Sequence, residues 1–112
     1  MSRSFLAFLV VCTCLAGVSA RAAEPPPQPL IEIYMPSPCL ACIDWGSYLA
    51  NNGFQVSYKE TADMAAVKKR LKVPAAVESV HTAVVGGYFV EGHAYAEDIH
   101  ELLREKPKAR GI

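Results

Sequence analysis

Two cysteines three residues apart, Cys39 and Cys42, stand where an extended run gives way to a helical one, and that placement constrains the chain more than any other feature. The run before them, LIEIYM, is short, apolar and β-branched, which is the pattern of a buried strand. Ser37 is a natural N-cap, and Pro38 suits the first helical position, where its missing N–H costs nothing. CLACIDWGSYLANN then reads as a helix that stops at a left-handed Gly53. On such a helix residues i and i+3 face the same way. Cys39, in the first turn, has unpaired N–H groups and the helix dipole to favour its thiolate. Cys42, one turn further in, is more sheltered and reads as a resolving thiol or second ligand. A redox dithiol, a metal clamp and a structural disulfide all remain open, although so short a loop gains little from closure.

The segments that follow fill in a topology. Phe54, Val56 and Tyr58 alternate with polar residues and predict a second strand. Asp63 can cap a second helix whose apolar residues are Met64, Val67 and Leu71, with Pro74 ending it. TAVV and YFVE flank Gly86-Gly87, a strong hairpin signal. AEDIHELLREK predicts a last amphipathic helix, with Tyr95, Ile99, Leu102 and Leu103 on one face and Glu97, His100, Glu101 and Arg104 on the other. Pro107 marks its end, and 107–112 read as a frayed tail. The order β-α-β-α-β-β-α, with a right-handed crossover between the first two strands, is the minimal thioredoxin-like, glutaredoxin-like α/β fold with a mixed four-stranded sheet. Its redox motif lies at the junction of first strand and first helix, where Cys39 and Cys42 fall.

The N-terminus predicts export. Arg3 is a short positive region, FLAFLVVCTCLAGV an uncharged apolar core, and Ala20-Arg21-Ala22 a cleavage signal, so residues 1–22 read as a signal peptide cut before Ala23. The apolar run is too short to span a bilayer comfortably. A lipid-modified cysteine fits poorly, because Val11 and Thr13 precede Cys12 and Cys14. Losing the leader removes Arg3 and Arg21 from a chain with 11 basic and 11 acidic residues, leaving it two charges acidic. No basic patch then remains for nucleic acid or an anionic membrane. Residues 23–29 read as a proline-rich linker, and 30–106 as one small domain. Only Cys39 and Cys42 remain of the cysteines, in an oxidising compartment.

Set beside the glutaredoxin-like pattern of proline, strand, Gly-Gly and strand, SVHTAVVGGYFVEG puts His81 where thioredoxin-like proteins have a cis-proline against the cysteine pair. A proline there keeps metal away, whereas an imidazole offers a ligand; the alternative is an ordinary loop histidine. His93 lies at the same end of the sheet and is either a further ligand or a surface residue. Met35, just upstream, is either packing or a thioether donor. Trp45 and Tyr48 read as core or site-wall aromatics, and His100 as solvated. Two thiolates, an imidazole and a thioether make a soft set, which suits Cu(I), with Zn(II) as second choice if the geometry closes to a tetrahedron.

From MPSPCLACIDW through LKVPAAVESVHTAVVGGYFVEGHAYAEDIHELLREKPKARGI the chain resembles a family long labelled a domain of unknown function, whose better-studied members are the periplasmic CopG-type copper-resistance proteins. The resemblance implies a thioredoxin-like fold with a cysteine-rich copper site, a periplasmic setting and a part in copper redox handling. By position, Cys39 and Cys42 match the first and last cysteines of the family's C-x-C-C motif, His81 its histidine, and His93 the histidine of EGH. Ala41 stands at the middle cysteine and Val80 at the cysteine before the histidine. The sequence reaches Ile112 without the family's methionine-bearing C-terminal extension. One copper ion, or a cycling dithiol, is therefore expected rather than a multi-copper cluster. The expectation is a periplasmic copper-binding protein with Cys39, Cys42 and His81 as ligands, helped by Met35 or His93, and with copper donor or acceptor proteins as partners. The rival is a thiol–disulfide oxidoreductase with Cys39 as nucleophile.

Overall fold

The computed structural model describes residue 14 and residues 16–112. Most of the predicted leader, with Arg3 and Cys12, lies outside the described residues. Residues 16–29 form no regular secondary structure, and Cys14 is an exposed free thiol. Among the described residues no helix is long and apolar enough to cross a membrane.

The elements are β1 (Leu30–Met35), α1 (Leu40–Ala50), β2 (Gln55–Glu60), α2 (Met64–Leu71), a 3₁₀ turn over Ala75–Val77, β3 (Thr82–Val85), β4 (Tyr88–Glu91) and α3 (Ala96–Glu105). They form one sheet in the order β2-β1-β3-β4. β1 pairs with β2 in parallel, as a crossover through α1 requires, and antiparallel with β3. This is the thioredoxin-like arrangement that the sequence order implies.

Alternation along β1 divides the sheet's two faces. Ile31 and Ile33 join Ala83, Val85 and Val90 beneath α1 and α3, packed with Trp45, Leu49, Phe54, Ala96 and Ile99. Cys42, Trp45, Gly46 and Leu49, spaced at three and four residues, are the buried stripe of α1. The opposite face carries Thr82 and Glu91, which are register partners, beneath α2. Gly86 and Gly87, at φ of 55° and 82°, close the β3–β4 hairpin in the left-handed region that a two-residue link needs.

Four expectations need correction. Ser37 and Pro38 precede the helix rather than opening it. Cys39 is the N-cap, non-helical at φ −139°, its Sγ accepting the Cys42 N–H at 3.3 Å. Helix α2 ends at Leu71, before Pro74, because Lys72 turns left-handed at φ 58°. Tyr95 caps α3 from outside the core and is 71% exposed, so Ala96, Ile99 and Leu102 form the buried face. Nor is the C-terminus frayed. Phe89 N–H donates to the Arg110 carbonyl at 3.0 Å, Ile112 N–H to the Phe89 carbonyl at 3.1 Å, and Glu91 N–H to Ile112 at 2.9 Å. The sequence hides this strap because its register is set by backbone atoms.

Gly111 makes the strap's close approach feasible, since a Cβ there would land on the Phe89 carbonyl oxygen and ring. Gly111→Ala is expected to lift the strap off β4 at a cost of about 1–3 kcal/mol, the usual range for overpacking. Amide exchange checks it: the Phe89 and Glu91 amides lose protection while β1 amides keep theirs. Unchanged exchange at Phe89 would contradict the contact.

Candidate metal and redox site

The site lies where β1 hands over to α1 and where the loops flanking the β3–β4 hairpin return to the same end of the sheet. Cys39 and Cys42 form a disulfide with Cα atoms 5.3 Å apart. Cys39 is 9% exposed and Cys42 fully buried, and both pack on buried Met35. A pocket of about 350 Å³ opens over the pair, lined by Cys39, Cys42, His81, His93, Ala41 and Val80 among others. Among the described residues no three His, Cys, Asp or Glu side chains are arranged to hold a metal ion. In this oxidised form the two sulfurs are bonded to each other, so neither is a thiolate ligand.

His81 is only 2% exposed, and neither ring nitrogen has a hydrogen-bond partner. A buried polar atom left unsatisfied costs about 1–3 kcal/mol, so two on one ring call for a reason. Stacking holds the ring instead. Its centroid is 4.7 Å from that of Trp45 and 5.1 Å from that of His93, with planes within 23° and 11°. Burial, and after it the neighbouring His93, push the His81 imidazole down to about 4; Glu91 pulls weakly the other way and Lys68 adds to the lowering. At neutral pH the ring is uncharged and offers a lone pair, the state a metal needs. His93 is exposed and lines the same pocket. Met35 is beside the sulfurs but not on the pocket wall.

Beneath the site, on the α2 side of the sheet, lies a network that the sequence reading missed. Lys68 Nζ is 3.0 Å from Glu91 Oε2, with side chains 7% and 3% exposed, and donates to Thr82 Oγ1 at 2.8 Å. Thr82 also donates its hydroxyl to Glu91. Ser79 N–H donates to Glu91 Oε2 at 2.8 Å, and the Ser79 hydroxyl lies 2.6 Å from the His81 carbonyl and 2.8 Å from Glu91. Burial raises the Glu91 carboxyl, but hydrogen bonds from Thr82, Ser79 and Lys68 outweigh it and hold it below its ordinary value. One signal was available: Lys68 falls on the stripe set by Met64, Val67 and Leu71, where a lysine needs a buried partner. The solvated reading of His100 is corrected too. It stacks on Phe54 at 4.2 Å, with Nε2 2.8 Å from the Asn52 carbonyl oxygen.

These shifts fix a pH dependence for the protein without metal. Between pH 6.5 and about 4 the unfolded imidazole takes up a proton that folded His81 refuses. Stability is therefore expected to fall by about 3 kcal/mol as pH drops through that window. Glu91, with its carboxyl lowered, gives stability above the ordinary carboxylate pKa that is lost as pH falls through its folded value. Urea midpoints from pH 7 to 4 measure the sum. His81→Phe should flatten the upper part of the curve, and an unaltered slope there would place the effect elsewhere.

Fold and site together define a thioredoxin-like protein with a vicinal cysteine pair at the head of its first helix, faced by a buried imidazole. Two solved structures, of a copper resistance protein copG in forms 1 and 2, match the chain at 44% identity with TM-scores of 0.70 and 0.71. The matches cover 75% of this chain and 66% and 67% of those chains, so this chain spans about two thirds of their length. The model of a family described as a protein of unknown function, DUF411, matches residues 77–112. No curated protein matches. The chain belongs to the CopG-type family.

Proposed function

We propose that this is a periplasmic copper-binding protein serving copper tolerance, which takes Cu(I) between Cys39, Cys42 and His81 once the disulfide is reduced. The observation that carries the reading is the buried His81 ring, with both nitrogens unpartnered, in the wall of the pocket that Cys39 and Cys42 also line. A ligand for that ring would offset its desolvation. Two thiolates and an imidazole suit Cu(I) before Zn(II), and similarity to copper resistance proteins supports copper as the cargo. Met35 and His93 are candidate further ligands. Reduction of the disulfide takes two electrons and two protons, and binding then displaces the thiol protons. A periplasmic donor or acceptor protein would exchange the ion through the pocket mouth.

The test is an anaerobic Cu(I) titration of the reduced protein against a chromophoric chelator. One tightly held ion per chain is expected, and no competition with the chelator would end the proposal. The disulfide itself favours a second reading, a thiol–disulfide oxidoreductase. There the reduced Cys39 thiolate attacks a substrate disulfide, forming a mixed disulfide and releasing one substrate thiolate. The Cys42 thiolate then attacks the Cys39 sulfur, releases the second substrate thiolate and leaves the Cys39–Cys42 disulfide. Rapid insulin reduction by metal-free protein would favour that reading.

A further inference from the structure

The ring nitrogens of His81 are unbonded, so no hydrogen bond to the ring sets its direction, as an outer partner ordinarily does for a ligating histidine. Its backbone is held instead. The Ser79 hydroxyl lies 2.6 Å from the His81 carbonyl oxygen, and Lys68 Nζ approaches that oxygen at 3.5 Å. The same hydroxyl accepts the Gly92 N–H at 3.0 Å, and Gly92 immediately precedes His93. Glu91, at the end of β4, accepts from the Ser79 N–H, the Thr82 hydroxyl and the Lys68 ammonium, and its Oε2 also lies 2.8 Å from the Ser79 hydroxyl. The loop before β3 and the loop after β4 are thereby tied to one buried, charge-balanced knot, and each carries one of the stacked histidines.

We propose that Ser79, Lys68 and Glu91 are positioning residues, a clamp that sets the spacing of His81 and His93 above the cysteine pair. The inference rests on the copper reading for its functional meaning but not for its geometry. Ser79 is the node. Its hydroxyl has one proton to donate, so it bonds either the His81 carbonyl or Glu91 while accepting from Gly92. Removing it uncouples the two loops without touching a ligand atom. The ion pair behind it supplies rigidity, because both charges are buried and stay so only while they face each other. Neither residue touches the copper-binding atoms; they act through the backbone.

Four variants test the clamp: Ser79→Ala, Ser79→Thr (which keeps the hydroxyl), His81→Ala, and the double variant Ser79→Ala/His81→Ala that closes a cycle. Ser79→Ala should weaken Cu(I) binding by about 10–100-fold, the usual cost of losing an outer-shell partner. Ser79→Thr should restore most of that affinity. Ser79→Ala should cost much less where His81 is already gone, which a general loss of stability would not reproduce. Equal losses with and without His81, or affinity within twofold of the wild type, would overturn the clamp. A metal-free readout keeps this separate from the copper reading. Trp45 is the chain's one tryptophan and stacks on His81, so the ring-current shift of the His81 ring protons reports its position. Should wild-type protein bind no Cu(I), the copper reading fails and this shift decides alone. A change in Ser79→Ala that Ser79→Thr reverses supports the clamp, and an unchanged shift refutes it.

Discussion

Reduced protein carrying Cys39→Ser is expected to lose Cu(I) affinity by well over the ~100-fold that removal of an outer-shell partner costs. A serine hydroxyl does not ionise in the accessible range and is a hard donor, so both charge and softness are lost. The same substitution leaves packing nearly intact, since the side chain keeps its size and can still accept the Cys42 N–H as N-cap. Binding should therefore collapse while the thermal midpoint of the reduced protein barely moves. Competitive titration and melting, run on one preparation, check both halves. Retained affinity would remove Cys39 from the ligand set. The comparison must use reduced protein throughout, because the disulfide of the wild type withholds both sulfurs.

Lys68→Met carries the largest expected loss of stability, about 3–5 kcal/mol, the range for removing one partner of a buried ion pair. Methionine matches the lysine stem in volume, so the packing against the sheet survives. What remains is a carboxylate 3% exposed, with hydrogen bonds from Ser79 and Thr82 but no counter-charge. The deficit relative to the wild type should shrink as pH falls and Glu91 takes up a proton, because His81 costs both chains stability over the same window. Denaturant midpoints at pH 7 and pH 4.5 measure this. A loss under 1 kcal/mol at pH 7 would mean that the pair is solvated in solution.

The strand and helix order was legible because it is written in side-chain patterns: the apolar run of β1, the Gly-Gly hairpin, the Asp63 cap and the stripe of α3. The meeting of Cys39, Cys42, His81 and His93 was legible for the same reason, since each follows from which end of a strand it occupies. Less legible were features decided by backbone geometry or by a single partner far along the chain. The N-cap moved two residues, from Ser37 to Cys39, where the Cys39 sulfur accepts the Cys42 N–H in place of a serine hydroxyl. The C-terminal strap is made of main-chain bonds to β4, which no side-chain periodicity encodes. The Lys68–Glu91 pair joins residues 23 apart in sequence; only the misplaced lysine on an apolar stripe hinted at it. Tyr95 showed the opposite error, for an aromatic at the right spacing lies just outside the helix and faces solvent.

The Gly86-Gly87 link sits four residue pairs from the site, roughly 13 Å along the strands. Nothing lies within 4 Å of where a Gly87 side chain would begin. A dye, an affinity tag or an electrode tether inserted between the two glycines would thus ride at the far pole of the molecule, leaving the sulfur-bearing pole free to meet its cargo, and lengthening a surface link by a few residues costs little.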